Sequence, residues 1–349
     1  MNEERIAIAL SGGVDSAYSA YLLKKKGKKL IGVTFKSPFF KEENIQKAQY
    51  VCNSLGIPHH LIDVSQEFEE SVIDYFVSSY LGGLTPNPCA LCNQIIKLGK
   101  LLDYIRMLGC HYLATGHYCR VIKTKKGEVY LAKGRSAFKS QEYFLALTPK
   151  ERFNSVIFPL GDYTKEEVKI NIQKEGVYPF PIEESKEVCF VSNSTYKDFI
   201  RKRILRDKDY SGQIKHHSGK VLGTHQGIYF FTYGQREGLG ISWKEPLYVM
   251  DILPLKREVI VGEKEFILKE RFFVNHINWF YPPSNYRDLR VKLRYNSCSL
   301  PCDIEISSWG RLLCILKDKK DVPTPGQLAV FYDGDLVVAG GLIEKESNF

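Results

Sequence analysis

No stretch of this 349-residue chain approaches the ~20 consecutive apolar residues that a membrane-spanning helix requires. The start, "MNEERIAIAL", lacks the long apolar segment and cleavage site of a secretory signal, which predicts a cytoplasmic protein. Internal repeats and low-complexity tracts are missing, so neither a solenoid nor a disordered tail is expected. The ordinary phosphate-binding signature G-x-x-x-x-G-K-[ST] occurs nowhere, and any nucleotide loop must be of another kind. Nine cysteines are present, but their irregular spacing in so long a chain does not look like a secreted disulfide scaffold. A reducing compartment would keep them as thiols.

The composition is 44% hydrophobic and 26% charged, that of a soluble globular protein, and the length favours two or three domains. Formal net charge is +9. Such a surplus fits a polyanionic partner, because Lys and Arg release counterions when they neutralise phosphates, although a merely solubilising basic surface gives the same count.

Strand-like and helical stretches alternate through the first third. "RIAIAL" (5–10), "KLIGVTF" (29–35), "HHLIDV" (59–64) and "YLATGHY" (112–118) read as strands. Helical patterns lie between them, which predicts a parallel sheet covered on both faces. Residues 150–200 read as mainly helical, and from about 211 short Gly-rich strands dominate. "LAVFYDGDLVVAGGLIE" reads as a hairpin with Asp-Gly at its turn. The order is therefore an α/β domain, a small linking domain and a C-terminal β-barrel.

Two stretches carry chemistry. "LSGGVDS" (10–16) joins a buried strand to a helix. Its glycines let the backbone close on a phosphate, its serines add hydroxyls, and the helix aims its N-terminal N–H groups at the same anion. Asp15 can hold Mg²⁺ bound to that phosphate. "TPNPCALCNQ" (85–94) presents Cys89 and Cys92 at C-x-x-C spacing in what reads as a loop. That pair alone leaves zinc, redox, iron–sulfur and nucleophilic roles open.

The glycine string resembles the PP-loop of ATP pyrophosphatases, which split ATP between its α and β phosphates and adenylate an oxygen. "TPNPCALCN", "ATGHY", "QEYFLALT", "EVCFV", "YGQREGLGI" and "TPGQLAVFYDGD" follow it in order. With them the whole chain resembles the bacterial tRNA-specific 2-thiouridylases. That resemblance implies a PP-loop (adenine nucleotide alpha hydrolase-like) catalytic domain over 1–205, a linking domain over 206–268 and a tRNA-contacting barrel over 269–349. It also implies an enzyme that uses ATP and Mg²⁺ to replace the C2 oxygen of a wobble uridine with sulfur. The sulfur would come from a cysteine desulfurase, a sulfur-relay protein or free sulfide.

By the same resemblance Ala9, Leu10, Ser11, Gly12, Gly13, Val14, Asp15 and Ser16 hold ATP, with Phe35 near the adenine and Gly116 beside the nucleotide. Cys92 is the nucleophile and Cys189 the carrier of a persulfide sulfur. Asn87, Pro88 and Cys89 approach the target base, while His117, Lys139, Ser140, Gln141, Arg294, Tyr295 and Gln327 touch tRNA. Bland alternatives are core packing for Phe35, turn capping for His117 and a plain exposed arginine for Arg294.

The chain departs from the pattern where it matters for chemistry. Cys89 stands where Asp is expected, and "EESKEV" before Cys189 lacks an Asp-Ser-Thr-Gly run. Cys89, Cys92 and Cys189 together would suit a [4Fe–4S] cluster held by three thiolates, with one iron open to sulfide. Persulfide chemistry with Cys89 as a bystander competes with this. Structural zinc would need a fourth ligand, and "CSLPC" (298–302) is the one available source. Cys52, Cys110, Cys119 and Cys314 sit in apolar contexts and read as packing residues. Rival functions are a PP-loop ligase or amidotransferase for a small molecule, and a non-enzymatic RNA-binding protein.

Overall fold

The computed structural model describes residues 4–136, 139–182, 188–191, 195–204, 208–283, 285–307, 310–317 and 321–346. Strands β1 (Arg5–Ala9), β2 (Lys29–Lys36), β3 (His59–Asp63) and β4 (Tyr112–Ala114) alternate with helices. A hairpin of β5 (Cys119–Lys123) and β6 (Val129–Lys133) intervenes before β7 (Val156–Ile157). The first sheet is parallel throughout, in the order β3-β2-β1-β4-β7. Both faces are covered. Ile6 and Ile8 of β1 pack into one core with α1 (Val14–Lys25) and α2 (Glu42–Leu55), while Ala7 faces a second core. That split is the two-residue period of a strand buried on both sides.

Strand order reverses between β1 and β4, so the loops at their carboxyl ends diverge and leave a crevice. Open parallel sheets bind ligands at such a switch point. The glycine loop follows β1, and Thr115–Gly116–His117 follows β4.

Helical chain then runs over Ser65–Leu81 and, after a loop, over Pro88–Met107, each with a π-helical stretch (Glu69–Ile73 and Asn93–Lys100). Between residues 150 and 200 the described helices are a 3₁₀ turn over Lys150–Ser155, Lys165–Glu175 and the start of Tyr196–Arg203. The linking domain is a four-stranded sheet, β10-β11-β8-β9, made of β8 (Gly212–His216), β9 (Val221–His225), β10 (Tyr248–Leu253) and β11 (Glu258–Gly262).

The C-terminal strands are β12 (Arg271–Trp279), β13 (Leu289–Lys292), β14 (Leu300–Ile306), β15 (Leu312–Leu316), β16 (Leu328–Asp333) and β17 (Leu336–Ile343). Pairing of β12 with β17 closes these six into an antiparallel barrel around an apolar interior. The β16–β17 turn carries Gly334 at φ 58°, the conformation that the Asp-Gly pair supplies. One connection was not legible in the sequence. The β5–β6 hairpin of the first domain adds to the barrel sheet through Ala132 opposite Leu336. Arg120 and Lys133 reach the same turn, at Asp335 and the Gly334 carbonyl.

Candidate active site

The α1 N-terminus opens into the crevice behind Gly13, which gives it no side-chain cap. Its first amides are therefore donors without an intrahelical partner, as an anion site requires. The loop is pinned from both sides. Ser16 Oγ donates to the Gly13 carbonyl (2.8 Å) and lies 3.3 Å from Ser11 Oγ, while Tyr178 OH donates to the Gly12 carbonyl (2.8 Å). Gly116 presses on the same turn, and a Cβ there would stand 2.9 Å from Ser16 N and 3.0 Å from the Asp15 carbonyl carbon. Phe35 is the next-to-last residue of β2, half-buried, with its ring 5.9 Å from that of Phe40.

Asp15 is not an open carboxylate. Lys165 Nζ donates to both its oxygens (2.6 and 2.5 Å), and Tyr118 OH donates to Oδ1 (2.6 Å). Lys165 opens the helix Lys165–Glu175, whose Thr164–Glu167 capping box fixes where that first turn points. This pair neutralises the negative charge beside the uncapped amides. Neither Lys165 nor Tyr118 stands out in the sequence as a site residue. The capping box was visible in "TKEE", but nothing there showed which acid the lysine meets.

The stretch read as a cysteine loop is instead the start of a helix, Pro88–Cys92, continued by Asn93–Lys100. Asn87 is its N-cap and accepts from Ala90 N (3.1 Å), with Pro88 as the first helical residue. Cys89 and Cys92, three apart, share a helix face. Cys189, 97 positions after Cys92, lies in a turn close enough to raise the pKa of both. Burial pushes the Cys89 thiol up to about 11 and the Cys92 thiol up to about 12. Cys189 is exposed to solvent, yet enough protein crowds its sulfur to raise its thiol too by partial desolvation. Lys97 opposes all three increases, and the amides of Cys189 and Phe190 help it at Cys189. Lys97 was not singled out from sequence, and it is the cation common to the cluster. The "EESKEV" departure falls largely on 183–187, outside the described residues.

Three soft thiols with no carboxylate among them fit the ligand set of an iron–sulfur cluster. They do not meet the 4.8 Å mutual spacing at which donors surround one ion, so among the described residues they form no ready zinc site. The expected fourth ligand is also elsewhere. Cys302 is buried on β14 against Cys314, and Cys298 is exposed beside the barrel. Cys52, Cys110, Cys119 and Cys314 are buried packing residues.

Several residues assigned to tRNA are engaged within the protein. Gln327 Nε2 donates to the Thr85 and Pro86 carbonyls (3.0 Å each), and Thr85 N donates to the Pro325 carbonyl (2.9 Å). The "TPG" turn of the barrel thereby holds the "TPN" turn that starts the cysteine helix. Arg294 braces that turn through Thr324 Oγ1 (3.1 Å). Tyr295 packs on Phe144, ring centroids 4.5 Å apart. Ser140 is buried, donating to Glu142 and accepting from Gly134 N, while Gln141 Oε1 accepts from Tyr118 N (3.0 Å). Lys139 is exposed. His117 is buried, bonded through Nδ1 to Thr115 Oγ1 (2.7 Å), and burial lowers its pKa to about 3, with Lys97 adding to the effect.

A parallel sheet with an uncapped glycine loop at its switch point makes an anion-binding crevice of the kind that α/β nucleotide enzymes use. Three family models tile the chain: "tRNA methyl transferase HUP domain" over 4–193, "tRNA methyl transferase PRC-barrel domain" over 197–263 and "Aminomethyltransferase beta-barrel domain" over 269–343. The tRNA-specific 2-thiouridylase MnmA of Campylobacter lari is 42% identical, with 97% of this chain and 99% of that protein aligned. MnmA of Aquifex aeolicus is 37% identical over 98% of this chain and 99% of its own length. The chain belongs to the tRNA-specific 2-thiouridylase family, and membership implies use of ATP and Mg²⁺. The solved U34-tRNA thiolase NcsA of Methanococcus maripaludis, with its [4Fe–4S] cluster, is 20% identical over 58% of this chain and 68% of that one. Its TM-score of 0.34 is too low to bear on the cysteines here.

Proposed function

We propose that this protein is an ATP-dependent tRNA sulfurtransferase, acting in the cytoplasm, which makes 2-thiouridine at the wobble position. The observation that carries this reading is the convergence of Cys189 on Cys92 from 97 positions away, under the influence of Lys97, whose charge also reaches His117 beside the nucleotide crevice. The residues from Ala9 to Ser16 bind the phosphates through backbone donors, with Phe35 and Gly116 flanking the nucleotide. Asp15 is the carboxylate that would hold Mg²⁺ bound to ATP, and Lys165, displaced from it, would turn to the phosphates. Adenylation turns the C2 oxygen of uridine, a poor leaving group, into part of AMP.

Sulfur then arrives on the exposed Cys189 as a persulfide, placed there by a desulfurase or relay protein. Its terminal sulfur bonds to C2 and AMP leaves. Attack of the Cys92 thiolate on the Cys189 sulfur releases the thiocarbonyl and leaves a Cys92–Cys189 disulfide, which a thiol reductant resets. A second reading rests on the third thiol, Cys89. Cys89, Cys92 and Cys189 would then hold a [4Fe–4S] cluster, which when bound would supply an open iron for sulfide. The domains 1–205, 206–268 and 269–349 divide the labour into chemistry, linkage and tRNA contact, with Lys139, Arg294 and Tyr295 on the RNA side.

Pyrophosphate release that depends on tRNA, measured beside 2-thiouridine formation, tests the assignment. Cys92→Ser and Cys189→Ser should keep the first and abolish the second. Release without tRNA would point to a small-molecule ligase, and no release at all to an RNA-binding protein. For the cysteines, Cys89→Asp should stay active and iron-free on the persulfide route. Under the cluster reading, Cys89→Ser loses bound iron and thiolation together even with sulfide supplied.

A further inference from the structure

The linking domain contains a second cluster of ligating groups, built on strands β8 and β11 rather than on the cysteine helix. Strands β8 and β11 are parallel neighbours with His216 opposite Val261, and His217 N donates to the Val261 carbonyl (2.8 Å). Two parallel strands in this register end on the same edge. His216 and His217 leave one strand, and Glu263 follows the other after Gly262.

Both imidazoles aim Nε2 at one carboxylate oxygen. Glu263 Oε2 lies 3.2 Å from His216 Nε2 and 3.5 Å from His217 Nε2. One ligand atom from each of the three residues falls within 4.8 Å of the other two, the single such group among the described residues. Zinc–nitrogen and zinc–oxygen bonds of ~2.0–2.1 Å imply tetrahedral edges of about 3.3 Å, and the two nitrogen–oxygen separations bracket that value.

The groups are held in place by their surroundings. Trp243 Nε1 donates to the other carboxylate oxygen, Glu263 Oε1 (3.2 Å), and its ring lies 5.0 Å from that of His216. His217 stacks near Phe266 at 4.2 Å between centroids. His216 Nδ1 lies 2.8 Å from Ser218 Oγ and accepts from Ser218 N (3.3 Å), contacts that fix the ring; with a metal on Nε2 the Nδ1 proton would go to the Ser218 hydroxyl oxygen. Gly262 also matters, because a Cβ there would stand 2.4 Å from Met250 Sδ and 3.1 Å from His217 Cδ2. A side chain at that position would collide with Met250 and press on the second histidine by a few tenths of an ångström. Trp243 in turn lines a cavity of about 610 Å³ formed by the loop from Arg236 to Leu247.

We propose that His216, His217 and Glu263 form a binding site for one divalent transition-metal ion, zinc by size and donor type, with one coordination position open. Two imidazoles and a carboxylate favour zinc over the oxygen-seeking Mg²⁺ and Ca²⁺. Through Trp243 the ion would fix the 236–247 loop.

The test uses full-length, tag-free protein stripped with a chelator and titrated with Co²⁺. A nitrogen–oxygen tetrahedral site gives visible d–d absorption without the thiolate-to-cobalt charge-transfer band that the cysteines would produce. One equivalent should bind in this way, be displaced by Zn²⁺, and be unchanged in Cys92→Ser. His217→Gln, at a half-exposed position, and Glu263→Gln should each weaken binding tenfold or more. The absence of the nitrogen–oxygen spectrum in wild type overturns the site, and so does its persistence in His217→Gln. Should a variant fold poorly, the rise in wild-type Tm on adding Zn²⁺ decides. A rise that is missing, or equal in Glu263→Gln, also overturns it.

Discussion

The glycine loop and the cysteine helix belong to one domain but are built in opposite ways. The first is mostly backbone and lies within the first domain: uncapped α1 amides and a turn pinned by Ser16, with Gly116, Tyr178 and Lys165 brought against it from later in the same domain. The second is assembled from three distant parts of the chain. Its turn is clamped by Gln327 and Pro325 of the barrel, its thiols are joined by Cys189, and its charge comes from Lys97. A site confined to one domain tolerates change in the other domains. A site made of remote side chains depends on how the domains are docked. Nucleotide use and sulfur transfer should therefore separate under mutation.

The largest effect is expected at Lys165, where the comparison is easiest to break. Lys165→Met leaves the Asp15 carboxylate uncompensated beside the phosphate cradle. Adenylation should fall on the order of a hundredfold, since removing one partner of a shielded ion pair strands the other charge. Asp15→Ala should also stop adenylation while tRNA binding persists. Single-turnover pyrophosphate release and a tRNA binding assay check both. Equal loss of tRNA binding would show that the two regions are not independent.

Next comes the clamp. Gly326 has φ 87°, and a Cβ there would stand 3.0 Å from Leu84 Cβ and 3.2 Å from Thr85 N. Gly326→Ala and Gln327→Leu should each cost about 1–3 kcal/mol of stability, through strain in one and orphaned carbonyls in the other. Thermal unfolding measures this. Thiolation should drop about tenfold in each with ATP affinity retained, a cost large enough to misplace the helix turn that carries the cysteines.

Lys97 sharpens the comparison through pH. Its charge holds the three thiols below where burial alone would put them. Lys97→Met should therefore move the rising limb of the thiolation profile to higher pH. At a fixed pH on that limb, each further pH unit of displacement leaves about tenfold less thiolate. The pyrophosphate-release profile should not follow it.

The smallest effect concerns stability in acid. His117 titrates near 3 in the fold because burial disfavours its cation, whereas an unfolded histidine titrates at about 6.5. Below 6.5 the unfolded chain binds the extra proton, so the contribution of neutral His117 is complete above that value and shrinks as pH falls toward 3. About 2 kcal/mol should be lost by pH 5. Denaturant titrations of wild type and His117→Gln should show a shallower acid slope in the variant, with His59 and His225, both also lowered by burial, supplying the remainder.

The parallel sheet, the glycine loop, the barrel hairpin and the thiol candidates were legible because each rests on short-range rules. Strand period, helix-start signals, Asp-Gly turns and motif order all lie within a few residues of one another. Asn87 and Pro88 even announced a helix start, although the prolines made the stretch read as a loop. Pairings across long sequence separation were not legible. Lys165 meets Asp15 across 150 positions, Gln327 meets Thr85 across 242, and the β5–β6 hairpin extends the barrel. His216, His217 and Glu263 are ordinary surface-type residues until parallel pairing sets two strand ends side by side. The sequence determined which local elements form, because propensity and hydrophobic period act between near neighbours. Which charges neutralise one another, and how far a thiol is shielded from water, was decided by tertiary structure alone, because desolvation and Coulomb forces depend on distance in space.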